Sequence, residues 1–148
     1  MNEDIRVESE AEVKTYLDRL KYAINNGATI NFQIDRLVDK KRLEKYTNQY
    51  TVNALFPKEN PVDALKRELL TLTVEDYIQT VKDLRFPNRS EMRVFGKKYN
   101  AKEDVYIKIR VELLGEYGNT TTFVMSFHFA EKELTADKFP YRKRDDFA

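Results

Sequence analysis

The sequence has no cysteine and one histidine in 148 residues. The first absence removes disulfides, thiol nucleophiles and thiolate metal sites. The second leaves carboxylates as the only plentiful metal ligands, and no D-x-D-x-D-G run gathers them. No metal or other cofactor is expected. No stretch approaches the roughly 18 apolar residues of a membrane span. The opening M-N-E-D-I-R-V-E-S-E is acidic and lacks the apolar run of a signal peptide, so a cytoplasmic location is expected. Also missing are a G-x-S-x-G elbow, a Walker loop, G-x-G-x-x-G and H-E-x-x-H.

What is present suits one folded domain over residues 1–148. Hydrophobic residues make up 41% and charged residues 34%, with only 4 Gly and 4 Pro, which is not a disordered composition. A chain of this length buries roughly 68–70% of its unfolded surface. The net charge of +1 hides an asymmetry: residues 1–80 carry 12 Lys/Arg against 14 Asp/Glu, and residues 81–148 carry 14 against 11. Basic residues gather between Lys82 and Lys102 and again at Arg142-Lys143-Arg144. Such clusters either line a solvated surface or attract phosphates.

Two helices are marked by their starts. Ser9-Glu10-Ala11-Glu12 is a capping box, followed by Val13, Tyr16, Leu17, Leu20 and Ile24 at helical spacing, with Gly27 as a stop. Asn60-Pro61 supplies an N-cap and a proline at the first helical position before Val62, Leu65, Leu69 and Leu70. Between them, Thr29 to Asp35 alternates as a short strand or linker, and residues 39–46 look helical between asparagine-rich turns. From residue 72 the pattern becomes strand-like: 77–81, 92–96, 105–114 and 121–130, joined by loops rich in Asn, Gly or Pro. The expectation is an α+β fold, with a helical half (about 1–71) packed on an antiparallel sheet of about four strands (72–131). A basic tail, 138–148, follows.

The last two strands carry a chemical face. In V-Y-I-K-I-R-V, Val105, Ile107, Ile109 and Val111 point one way, while Tyr106, Lys108 and Arg110 point the other. In V-M-S-F-H-F-A, Ser126 and His128 alternate with Met125, Phe127 and Phe129. A loop centred near Tyr117 pairs positions that sum to 234, which sets Tyr106 beside His128 and Lys108 beside Ser126. Two readings of this face stand: a solvated sheet surface and a site. As a site it suits metal-free RNA cleavage, in which a base takes the 2′-OH proton, cations stabilise the phosphorane and an acid protonates the leaving 5′-oxygen. Histidine serves as acid or base, and Lys and Arg stabilise the phosphoryl oxygens.

Three stretches, L-T-V-E-D-Y-I, V-Y-I-K-I-R-V and V-M-S-F-H-F-A-E, resemble in order and spacing the C-terminal half of MqsR-type toxins over about 60 residues. That family implies a RelE-like α+β fold, metal-independent endoribonuclease activity on mRNA, and a cognate antitoxin partner. It also places a catalytic tyrosine on Tyr106 and a lysine on Lys108. A functional lysine of the family falls on His128, a second falls on Gln79, and a glutamine falls on Arg93, so three positions depart from the pattern. The resemblance thus implies proton transfer by Tyr106 and His128 and a phosphate clamp of Lys108, Arg93 and Arg110. Gln79, Ser126, Lys97, Lys98, Arg142 and Lys143 would contact the flanking RNA. The alternative is a non-catalytic binding module, such as a phage or plasmid inhibitor of a protein partner built on the same scaffold. Neither reading involves a membrane.

Overall fold

Ser9 opens the first helix as the sequence predicts: its hydroxyl accepts from the Glu12 amide, and the Glu12 carboxylate accepts from the Ser9 amide, both at 3.1 Å. In the computed structural model, which describes residues 3–32, 48–88, 90–99, 103–114 and 120–142, helix α1 runs Glu10–Asn25. It ends at Gly27, whose φ of 91° only glycine adopts without strain. Val13, Leu17, Leu20 and Ile24 form its buried stripe. A second helix, α2, spans Asn48–Leu55, and a third, α3, spans Pro61–Leu69. The Asn60 side chain caps α3 by accepting from Val62 and Asp63, and Ala64, Leu65 and Leu69 are buried.

The strands are β1 (Glu3–Arg6), β2 (Thr29–Phe32), β3 (Tyr77–Asp83), β4 (Met92–Tyr99), β5 (Glu103–Leu114) and β6 (Thr120–Phe129). They form one sheet in the order β1-β3-β4-β5-β6-β2. The four antiparallel strands expected from the sequence are its centre. Two four-residue edge strands extend it: β1 is antiparallel to β3, and β2 is parallel to β6. The fold is α+β, with helices stacked on one sheet face.

Each strand presents alternate residues to the two faces. On the first face, Phe95, Val105, Ile107, Ile109, Phe127 and Phe129 meet the buried stripe of α1 and Leu65 and Leu69 of α3. On the second, Ile78, Val81, Val94 and Phe139 make a smaller core, flanked by Met92, Tyr106 and Leu134. A β-bulge between Tyr77 and Gln79 inserts Ile78 and turns it to this second face.

Two features differ from the sequence-based expectation. The acidic N-terminus forms β1, an edge strand with four exposed residues and no alternation to announce it; pairing of Ile5 with Val81 and Arg6 with Thr80 creates it. Helix α2 stands where asparagines suggest turns. It holds because Val52 is buried and the Thr51 hydroxyl accepts the Phe129 amide at 2.8 Å, so tertiary contacts override weak propensity. The expected helix over residues 39–46 lies outside the described residues.

Candidate functional site

The β5–β6 hairpin has the register that its sequence predicts: Tyr106 pairs with His128, and Lys108 with Ser126. Both strands are interior strands of the sheet, each paired on both sides. The Tyr106 and His128 rings stack, with centroids 5.3 Å apart and planes inclined by 25°. The Lys108 ammonium lies 5.8 Å from the centre of the Tyr106 ring. Arg110 follows on the same row, opposite Met92 and Val124.

His128 is 8% exposed. Its Nδ1 lies 3.0 Å from the Phe129 carbonyl, which only accepts, so Nδ1 carries the proton. In the neutral ring the basic nitrogen is therefore Nε2, and the tautomer is fixed by the strand's own backbone. A phenol, an imidazole of defined tautomer and an ammonium meet on one face. This set can transfer a proton beside a fixed positive charge.

Next to this row is a cleft of about 340 Å³. Its floor includes Tyr106, Gln79 and Ile78, and one wall is the chain running from Leu134 to Pro140. That segment lies close to the sheet because residue 96 is glycine. A Cβ there would meet Leu134 Cδ1 at 2.6 Å, Phe139 Cζ at 3.0 Å and Ile78 Cδ1 at 3.2 Å. Asp104 holds the segment's start by accepting the Leu134 amide at 2.9 Å.

Other candidates from the sequence are elsewhere. Arg93 shares its face with Phe95 and not with Lys108, because β4 pairs Val94 with Lys108 and Arg93 with Ile109. Its Nε donates to Glu8 at 2.9 Å, and its guanidinium stacks 4.6 Å from the Tyr16 ring centre. Arg93 is thus no part of a clamp with Lys108. Lys97 also points to the first face, where its ammonium donates to the Thr71 hydroxyl at 2.7 Å. Lys98 is on the second face but forms an ion pair with Asp104 at 3.1 Å. Arg142 is not on a free tail: it lies 3.6 Å from the Phe139 ring centre, and Tyr141 donates to the Glu8 carbonyl at 2.6 Å. Lys143 lies outside the described residues.

The partner of Arg93, Glu8, was not a candidate in the sequence. It is 4% exposed and accepts from Arg93 and from the Thr80 hydroxyl at 2.5 Å, while its amide donates to the Tyr77 hydroxyl oxygen at 3.0 Å. Burial of the nearby Tyr16 phenol pushes its pKa up, and its hydroxyl has no hydrogen-bond partner among the described residues. This knot ties β1 and the start of α1 to β3 and β4. Parity offered a clue to half of it, since Arg93 and Phe95 are two apart on one strand. Leu134 and Pro140, which wall the cleft, had no local signal.

Among the described residues no group of three or more His, Cys, Asp or Glu side chains is placed to hold a metal ion, and no helix is long and apolar enough to cross a membrane. Comparison with family models, curated proteins and solved structures gave no match.

Proposed function

We propose that this chain is a metal-independent endoribonuclease acting on mRNA, the toxin of a toxin–antitoxin pair working in the bacterial cytoplasm. The observation that carries the reading is the stacked Tyr106–His128 pair with Lys108 beside it on one sheet face. The resemblance to MqsR-type toxins over the same strands points the same way. In the proposed reaction, one of the two rings takes the proton from the ribose 2′-OH as the oxygen attacks phosphorus. The other gives a proton to the departing 5′-oxygen, leaving a 2′,3′-cyclic phosphate and a 5′-hydroxyl. Lys108 and Arg110, without Arg93, stabilise the equatorial oxygens.

A second reading has its own support. His128 is nearly enclosed, and Arg93 is committed to Glu8, which suits a non-catalytic module that binds a protein. Expression in growing cells, with cleavage of purified RNA in vitro, separates the two. Under the nuclease reading the wild type arrests growth and generates cyclic-phosphate ends in the presence of EDTA. Tyr106→Phe keeps the ring stack but lowers the cleavage rate by about 10²-fold or more. Intact RNA, together with stoichiometric capture of a protein that ignores Tyr106→Phe, would select the binding module.

A further inference from the structure

We infer that the cleft between the sheet and the Leu134–Pro140 segment is a recognition pocket for one RNA base next to the scissile phosphate, with Gln79 reading the base edge. The inference deepens the proposed function and rests on it for the identity of the ligand. Tyr106 joins the two sites: it stacks on His128 in the hairpin row and also lines the cleft. A strand whose phosphate is held at Tyr106 and Lys108 therefore has a neighbouring nucleotide within reach of the cleft.

The cleft suits a base better than a phosphate. Its volume of about 340 Å³ is at the small end of ligand pockets, which run roughly 300–1,000 Å³. Ile78, Leu134, Pro140 and Val7 give it apolar walls, and an aromatic ring completes them. Base recognition in single strands uses such surfaces, with stacking on aromatic rings. The charged residues at the cleft, Asp137 and Lys138, offset each other, so there is no net positive field for a phosphate. Asp137 is held by the Thr135 hydroxyl, which keeps its carboxyl below the usual range and ionised.

Gln79 supplies selectivity. It is the one uncharged side chain of the lining with both a donor and an acceptor in a single plane. Its amide group makes no hydrogen bond among the described residues, although it is partly buried. A side-chain amide matches adenine bidentately, with its oxygen accepting from N6 and its nitrogen donating to N7. The bulge at Ile78 turns both Ile78 and Gln79 toward the same face, which puts the amide beside an apolar wall.

The test titrates the full chain with each of the four 3′-nucleoside monophosphates, followed by NMR shifts of Gln79, Ile78 and Leu134. It also maps cleavage sites on a random RNA. Expected results are binding of 3′-AMP at least about 10-fold tighter than the others and cleavage next to adenine. Gln79→Ala should bring the four affinities within about 2-fold and spread the cleavage sites, while Tyr106→Phe keeps the preference for adenine. No shift with any nucleotide, or an unchanged preference in Gln79→Ala, overturns the pocket. Base-selective binding lost in Gln79→Ala, with no cleavage by the wild type, supports the pocket and overturns only the nuclease chemistry.

Discussion

On the first face of the sheet, Phe95, Ile107, Ile109 and Phe127 are covered by helices that carry their own apolar stripes. On the second face, Ile78, Val81 and Val94 are covered mainly by Leu134 and Phe139, which belong to irregular chain. The difference lies in what each cover can tolerate. The helix-covered face is thick enough to bury a charge, provided that it is paired, and it holds Glu8 against Arg93 with Thr80 and Tyr77. The second face has a thin cover that leaves part of the sheet lined by Tyr106, Lys108 and Arg110. Those three side chains are partly exposed, whereas His128 beside Tyr106 is buried. Strand parity, interrupted at the Ile78 bulge, sets which side chains join the helix-covered core and which share the row of Tyr106 and Lys108.

The largest effect should come from Arg93→Ala. Removing a partner of a buried ion pair costs roughly 3–5 kcal/mol, and the partial exposure of Arg93 puts the expected loss near 3 kcal/mol. Urea unfolding measures it. Lys108→Ala on the other face should change stability by less than about 1 kcal/mol while lowering RNA cleavage. If the two variants exchange these phenotypes, the division between faces fails.

Gly96→Val tests the thin cover. The added methyls would collide with Leu134, Phe139 and Ile78, and overpacking of this kind costs about 1–3 kcal/mol. The loss should be local, seen as faster tryptic cleavage at Lys132 and Lys138 with little change in amide exchange for α1. Uniform loss of protection across both faces would show that the second cover is not a separate unit.

The smallest effect concerns the edge. Arg6 donates to Glu91 at 2.8 and 3.0 Å, and this hydrogen bond holds the Glu91 carboxyl below the ordinary glutamate value of 4.5. A lowered folded-state pKa gives stability that is present above 4.5 and lost as pH falls through the folded value. Glu91→Gln should therefore be less stable than the wild type at neutral pH, by about 0.5 kcal/mol for so exposed a pair. The gap should close in acid. A pH-independent gap would assign the loss to packing.

Much of this was legible in the residues. The capping box at Ser9, the Asn60-Pro61 start and the alternation in β5 and β6 are local signals, and each has its expected counterpart. The hairpin register followed from a loop centre and a period of two. Arg93 shows how such reasoning is lost: the resemblance put it in a clamp with Lys108, whereas its own parity with Phe95 put it on the other face. β1 and α2 were missed because neither has an amphipathic pattern strong enough to act without its partner.

The sequence by itself determined which side chains share a face along β5 and β6, because alternation is a property of the backbone at each residue; in β3 the bulge at Ile78 interrupts it. It also determined where α1 and α3 begin, because a cap satisfies amides within three residues. Only the tertiary structure decided that Glu8 is buried against Arg93, 85 positions away, and that Leu134 lies over Gly96. Those contacts depend on strand order and chain closure over long separations, and no short stretch of residues encodes them.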